Sequence, residues 1–307
     1  MNNTTALMPA SSDDPKAIIG LVLDSLTSSH SKRAYEKALT DFLNWYQEQG
    51  KPGLNKATVQ RYKTVLQESN LAPSSINQRM SAIRKLAQEA ADNGLFDQII
   101  ANGVAKVKGV KQQGVRAGNW LSREQAQALL NEPDTTTLKG LRDRAILSVM
   151  ISAGLRRSEV AFLTFEHIQQ REGRWVIVDI TGKGNRVRSV PILGWCKVAI
   201  DEWAQAASIS SGRVFRRVNK GDKVSGDSMT PQAVRDVVNE YAGRLGFSVA
   251  AHDLRRTYAK LAHKGGAGLD QIQLSLGHAS IQTTERYLGV TQDLVDAPCD
   301  HIGLKLE

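Results

Sequence analysis

Cysteine is nearly absent: 307 residues contain two, Cys196 and Cys299, far apart and outside any paired metal-ligand spacing. That excludes a disulfide framework and a zinc-finger fold, and it suits a reducing cytoplasm. No uninterrupted apolar stretch reaches about 18 residues, which excludes a transmembrane helix. The opening MNNTTALMPASSDD has no basic start, and the apolar run at residues 17–23 is too short for a signal core with its cleavage site. A soluble, non-secreted, cytoplasmic protein is expected. Also missing are a Walker phosphate loop, a His-Glu-x-x-His zinc helix and a Rossmann glycine fingerprint, so no nucleotide, metal or other cofactor is expected. Neither an internal repeat nor a low-complexity tract is visible.

What is present is ordinary in bulk and unusual in charge. Hydrophobic residues make up 41% and charged residues 23%, as in a soluble globular protein. The length exceeds what one hydrophobic core usually serves, so two domains are expected. The net charge of +9 favours polyanions, nucleic acid or acidic membrane alike. Residues 31–118 hold 14 Lys or Arg against 7 Asp or Glu, a net +7 that is most of the total. Charge alone leaves this open between solvated helix faces and a DNA-facing surface.

Residues 1–12 read as a frayed polar tail, after which Ser12, Asp13 or Asp14 is placed to cap a helix ahead of Pro15. Tyr35, Leu39, Phe42, Leu43 and Tyr46 follow helical spacing until Gly50, Pro52 and Gly53 stop them. Two further helices are predicted near residues 56–69 and 73–93, the latter with Ile76, Met80, Ile83 and Leu86 or Ala87 on one face. Residues 104–119 carry Lys106, Lys108, Lys111 and Arg116 among glycines with little hydrophobic periodicity, which predicts an exposed basic linker able to follow a DNA backbone. Beyond it, Ser122 caps a helix carrying Ala126, Leu129 and Leu130, and a long helix runs from about 138 to 153. Residues 175–181 and 185–192 are β-rich and flank Gly182-Lys183-Gly184, a hairpin signature. Helices return from about residue 194.

Three segments carry candidate chemistry. In Ala153-Gly154-Leu155-Arg156-Arg157-Ser158-Glu159, the arginine and the glutamate lie three apart, so a helical turn puts them on one face, whether as a surface ion pair or as an oriented guanidinium. His252 and Arg255 in His252-Asp253-Leu254-Arg255-Arg256-Thr257 share the same spacing; a helix-capping His is the plain alternative. The third is Leu276-Gly277-His278, followed nine residues on by Tyr287, a residue that by itself is as readily core packing.

In this order and spacing the segments resemble the tyrosine recombinase, or phage integrase, family. Its pattern runs Gly-Leu-Arg-x-x-Glu, a hairpin Lys, His-x-Leu-Arg-x-Thr, Leu-Gly-His and a nucleophilic Tyr. The resemblance covers about residues 121–290 through specific motifs, and 13–112 through composition and length. It implies a mainly α fold with a small β-sheet: a helical, SAM-like core-binding domain over residues 13–112 and an α+β tyrosine recombinase catalytic domain over 119–307. Carried over by position, Arg156, Lys183, His252, Arg255, His278 and Tyr287 fall on the six catalytic places, with Glu159 supporting the first arginine.

The chemistry accounts for those residue types. Attack on a phosphodiester builds charge on nonbridging oxygens, which two forked guanidiniums, Arg156 and Arg255, can hold. A Tyr hydroxyl holds its proton to a pKa near 10, so Tyr287 needs a base, for which His252 is the candidate. Lys183, at a hairpin tip flanked by glycines, would protonate the leaving 5′ oxygen, and His278 would donate a hydrogen bond to the phosphate. The expected product is a 3′-phosphotyrosyl link that retains bond energy for rejoining. Without the family Lys183 would read as a turn residue; Arg186 and Arg188 read as a solvent face or, preferably, as phosphate contacts.

Arg256 stands where many relatives have a second His. The 20 residues after Tyr287 include Pro298 and alternating Ile302, Leu304 and Leu306; they are expected either to be disordered or to dock on a neighbour within a homotetramer that holds two DNA duplexes. The simpler two-domain type, without the arm-binding domain of some phage integrases, is expected. The expected partner is a double-stranded recombination site. A catalytically silent DNA-binding regulator and a type IB topoisomerase-like relaxing enzyme are the alternatives.

Overall fold

Most of the helices start on a side chain that can accept a hydrogen bond from the first turn, as the sequence spacing of Ser, Thr, Asn and Asp requires. The computed structural model describes residues 15–111, 119–182 and 186–289, and divides into two compact units between Arg116 and Ala117. Among the described residues of the first unit five helices follow one another: α1 (Pro15–Asp24), α2 (Ser29–Glu48), α3 (Lys56–Glu68), α4 (Pro73–Asp92) and α5 (Gln98–Ala105). Ser28 caps α2, Asn55 caps α3 and Asp97 caps α5, while α4 opens on Pro73, whose missing N–H costs nothing there. The residues expected to cap α1 lie outside the described residues.

Helix α4 is the centre of this unit and packs against the other four. Its stripe Ile76, Met80, Ile83, Leu86 and Ala87 is buried against Leu39, Phe42, Val59 and Tyr62, with the Phe42 and Tyr62 rings edge to face at 5.0 Å. The expected exposed linker needs correction. Residues 104–111 lie against the unit: Val104 and Val107 are buried, Arg84 donates to the Val107 carbonyl, and Asn77 clamps Val110 through both its N–H and its C=O. Apolar residues every third position, Val104, Val107 and Val110, carry this segment inward, with the lysines between them left outside. Gly109 permits the clamp, since a Cβ there would collide with the Asn77 carboxamide. Residues 112–118 lie outside the description.

The second unit opens with α6 (Arg123–Asn131), where Ser122 and Gln125 form a reciprocal capping box, and α7 (Leu138–Ala153), capped by Thr137. From Ala145 to Ala153 every residue of α7 is buried, because α6, α8 (Arg157–Ala161), α9 (Gly194–Ala206), α10 (Pro231–Arg244) and α11 (Ala251–Lys264) all pack on it. Between α8 and α9 lies an antiparallel sheet of β1 (Ile168–Arg171), β2 (Arg174–Thr181) and β3 (Val187–Pro191), in that order. The expected hairpin is β2–β3, with Ile177 opposite Val190 and a register shift between Ile177 and Ile180; β1 joins as a third strand. A second small ribbon pairs β4 (Arg217–Val218) with β5 (Val224–Ser225), inside a stretch expected to be helical. Two short helices, α12 (Leu269–Leu276) and α13 (Ile281–Leu288), finish the described chain. The architecture is mainly α with a small sheet, as expected.

Candidate active site

The site is assembled from helix ends. Helix α7 terminates at Gly154, whose φ of +59° and close approach to the Tyr258 ring leave no room for a side chain. Two residues on, Arg156 caps α8 from outside: its backbone N–H donates to Glu159 Oε2 at 2.7 Å and its Nη1 to Glu159 Oε1 at 2.9 Å. The three-residue spacing thus returns as a loop-to-helix clamp. Glu159 is buried; burial alone would raise its pKa, but the hydrogen bonds and charges of Arg188 and Arg156 outweigh that and hold it below the usual carboxylate range.

Helix α11 supplies the next two groups. Arg255 is 1% exposed; its Nη1 donates to the Gly154 carbonyl at 2.6 Å and its Nη2 to the Leu276 carbonyl, while Nε has no partner among the described residues. Burial, reinforced by the Arg156 charge, lowers its pKa to about 10, so it remains a cation at neutral pH. Such a buried cation has most of its desolvation cost already met by the fold and gains strongly from an incoming anion. One turn earlier His252 lies exposed at the site's edge, its pKa lowered by loss of solvent and by Arg255. Thr257 of the same segment is buried and accepts from the Leu121 N–H at 2.9 Å, which ties α11 to the start of the unit.

Helices α12 and α13 bring in His278 and Tyr287. Helix α12 ends at Gly277, with φ +62°, and the turn delivers His278, whose Nδ1 lies 3.0 Å from the buried Thr284 hydroxyl. Burial and the charges of Arg255 and Arg156 push the His278 pKa down to about 4. Tyr287, one residue before the end of α13, lies with its hydroxyl 3.4 Å from His252 Nε2 and donates to the His252 carbonyl at 3.2 Å. Its ring meets His252 and His278 edge to face at 5.6 and 5.3 Å, and the Arg256 guanidinium lies 4.9 Å from its centroid. Burial raises the phenol pKa against the opposing pull of Arg255 and Arg256, so the hydroxyl is neutral. A cavity of about 440 Å³ beside these groups is lined by Arg156, Arg157, Arg235, His252 and Arg255.

The arrangement gathers fixed positive charge around a cavity with His252 on its wall and Tyr287 beside His252. Set against known protein families, residues 119–293 match the Phage integrase family and residues 19–94 match the Phage integrase N-terminal SAM-like domain. The chain belongs to the phage integrase family. It is a tyrosine site-specific recombinase by that membership. Among curated relatives, tyrosine recombinase XerC of Staphylococcus saprophyticus is 26% identical over 89% of this chain and 90% of its own. Tyrosine recombinase XerD of Ralstonia nicotianae is 29% identical over 85% of this chain and 83% of its own. Of solved structures, the XerH site-specific recombinase bound to palindromic difH substrate superposes with a TM-score of 0.68 at 17% identity, over 86% of this chain and 77% of that one. A lambda integrase dimer bound to a COC′ core site gives 0.67 at 14% identity, over 91% and 78%. These last two share its fold.

In this phage integrase family member, five of the six residues expected to act in catalysis, Arg156, His252, Arg255, His278 and Tyr287, converge through the contacts above. The sixth, Lys183, lies outside the described residues, as do Arg116 and the tail beyond residue 289. Lys106, Lys108, Lys111 and Arg186 are exposed, as a backbone contact requires. Arg188 differs from expectation: instead of facing DNA it turns inward and grips Glu159 through two hydrogen bonds of 3.0 and 2.8 Å. Strand alternation is the reason, since Arg188 shares a face with the fully buried Val190 while Val187 and Ser189 are exposed. Counting back from Val190 would have found it. Arg157 and Arg235 were not singled out by sequence, and no local pattern marks Arg235, which reaches the cavity only through the packing of α10 on α8.

Proposed function

We propose that this protein cleaves and rejoins double-stranded DNA at a specific site, with the Tyr287 hydroxyl as nucleophile and a 3′-phosphotyrosyl enzyme as intermediate. The single observation that carries the reading is the Tyr287 hydroxyl beside His252, next to a pocket whose buried Arg255 and half-buried Arg156 supply fixed positive charge. In this reading the scissile phosphate sits between the two guanidiniums, which stabilise charge developing on its nonbridging oxygens. His252, kept neutral, takes the phenolic proton as the oxygen attacks phosphorus. The bond from phosphorus to the 5′ oxygen then breaks, and that oxygen takes its proton from Lys183.

An arriving phosphodiester reverses one cause of the low His278 pKa, because its negative charge offsets Arg255 and Arg156. His278 then holds a proton more readily and donates it in a hydrogen bond to the phosphate. Rejoining runs the same steps backward with a 5′ hydroxyl from another strand, which needs no ATP. The working assembly is a homotetramer on two duplexes, acting in the cytoplasm on DNA of a mobile element.

The test is covalent trapping on nicked duplex DNA carrying the cognate site, or DNA flanking the host element, with wild type beside Tyr287→Phe. A slowly migrating, protease-sensitive adduct that needs Tyr287 is expected. Tight binding with no adduct from either protein would replace this reading by a DNA-binding regulator, and supercoil relaxation without exchange between two sites would favour a topoisomerase.

A further inference from the structure

Arg188 is 7% exposed in its side chain, yet none of the steps above uses it. Its fork closes on both oxygens of Glu159, Nη1 on Oε1 at 3.0 Å and Nη2 on Oε2 at 2.8 Å, while Nε donates to the Ser275 carbonyl at 2.7 Å. Its aliphatic stem packs on Gly277, where a Cβ would lie 3.0 Å from Cδ. A Cβ on Gly182, next to Lys183, would meet Arg188 Nη1 at 3.2 Å and Arg156 Nη1 at 3.4 Å. One side chain on β3 therefore touches the support of Arg156, the helix end that presents His278, and the root of the hairpin.

The charges explain why this matters. Glu159 orients Arg156, but a carboxylate paired with one arginine alone would also neutralise it, leaving little attraction for a phosphate. With Arg188 present, the cluster of Arg156, Glu159 and Arg188 carries a net charge of +1. Arg188 is held on the protein side by three hydrogen bonds, whereas Arg156 is 28% exposed, so the surplus charge faces the cavity. At the same time Arg188 and Arg255 take the Ser275 and Leu276 carbonyls, two of the last acceptors of α12, and so fix the turn before His278.

Building on the recombinase reading, we infer that Arg188 is a positioning residue: the dedicated counterion of Glu159, freeing the charge of Arg156 for the scissile phosphate and holding the His278 turn. It does not touch DNA. Arg188→Gln is expected to slow single-turnover cleavage of a nicked duplex about 10- to 100-fold, the worth of a charge-assisted bond. Arg188→Lys, with charge but no fork, lies between. The decisive variant is Glu159→Gln/Arg188→Gln, which removes the uncompensated carboxylate and so cleaves about fivefold or more faster than Arg188→Gln alone. Its binding to intact duplex, measured in a Tyr287→Phe background, keeps the wild-type salt slope.

A double variant no faster than Arg188→Gln overturns the inference, and so does a slope shallower by about 0.9, the signature of a lost phosphate contact. Should Arg188→Gln not fold, the double variant is compared with Glu159→Gln. A rate within about tenfold of Glu159→Gln supports the counterion role, the remaining loss being the worth of the His278 turn, and a larger loss refutes it. Failure of the recombinase reading looks different: wild type then gives no adduct, and the salt slope of the double variant still decides whether Arg188 contacts DNA.

Discussion

His278 is a residue whose surroundings change its chemistry. Its pKa is about 4 in the folded protein against an ordinary value of 6.5, so between those values the unfolded chain binds a proton that the folded chain does not. Stability therefore falls as pH drops from about 6.5 to about 4, and stops falling on this account below that. His278→Asn is expected to flatten the unfolding free energy across that window, measured by denaturant titration at several pH values; a slope equal to wild type would refute it. The same position illustrates what spacing conveys. Leu-Gly-His announces a helix end and an imidazole, but the 3.0 Å contact with Thr284 and the nearby arginines that depress the pKa belong to the packing.

At the scale of elements, the site depends on where helices stop. Gly154 ends α7, and its carbonyl receives Arg255 across 101 residues of sequence. Gly154→Ala places a side chain in the left-handed region and against the Tyr258 ring. It is expected to cost about 2–4 kcal/mol of stability and to slow strand cleavage as Arg255 loses its seat. Chemical denaturation and single-turnover cleavage check both parts; an alanine variant as stable and fast as wild type would remove Gly154 from this role. Helices α2, α3 and α6 were legible because each writes a cap and a 3.6-residue stripe into neighbouring positions; α4 writes its stripe behind Pro73, and α7, apolar all round, was legible from its length and its stop at Gly154. Strand β1, with four residues of which two are half-buried and two exposed, writes no such pattern, and the two-residue strands β4 and β5 write less. The segment at residues 104–111 misled for a related reason: three valines spaced by lysines and glycine satisfy no helix or strand template, yet suffice to hold a strap once Asn77 and Arg84 bind its backbone.

At the scale of the whole molecule, the surplus positive charge predicts binding dominated by phosphate contacts. Lys106, Lys108 and Lys111 all point away from the apolar strap into solvent. Replacing the three by alanine is expected to make the slope of log affinity against log salt shallower by about 2–3, because each lost contact removes about 0.9. Fluorescence anisotropy on a duplex between 50 and 200 mM salt, roughly the range over which such contacts are felt, measures it. An unchanged slope would confine these lysines to ordinary solvation.

The sequence by itself determined the mainly helical architecture and, through its resemblance to the phage integrase family, pointed to five of the residues that meet at the site. Each rests on residue type and near-neighbour order: a cap three residues before the N–H it accepts from, a glutamate three from its arginine, a tyrosine nine beyond a histidine. Only the tertiary structure decided what Arg188 does, since its partners lie 29 and 87 residues away. The same holds for the tether from Leu121 to Thr257 across 136 residues and for the addition of Arg235 to the cavity. Local order specifies which groups a helix or strand presents. Which groups then share a carboxylate is settled by close packing of distant segments, where a buried charge persists only if the fold supplies its counterion.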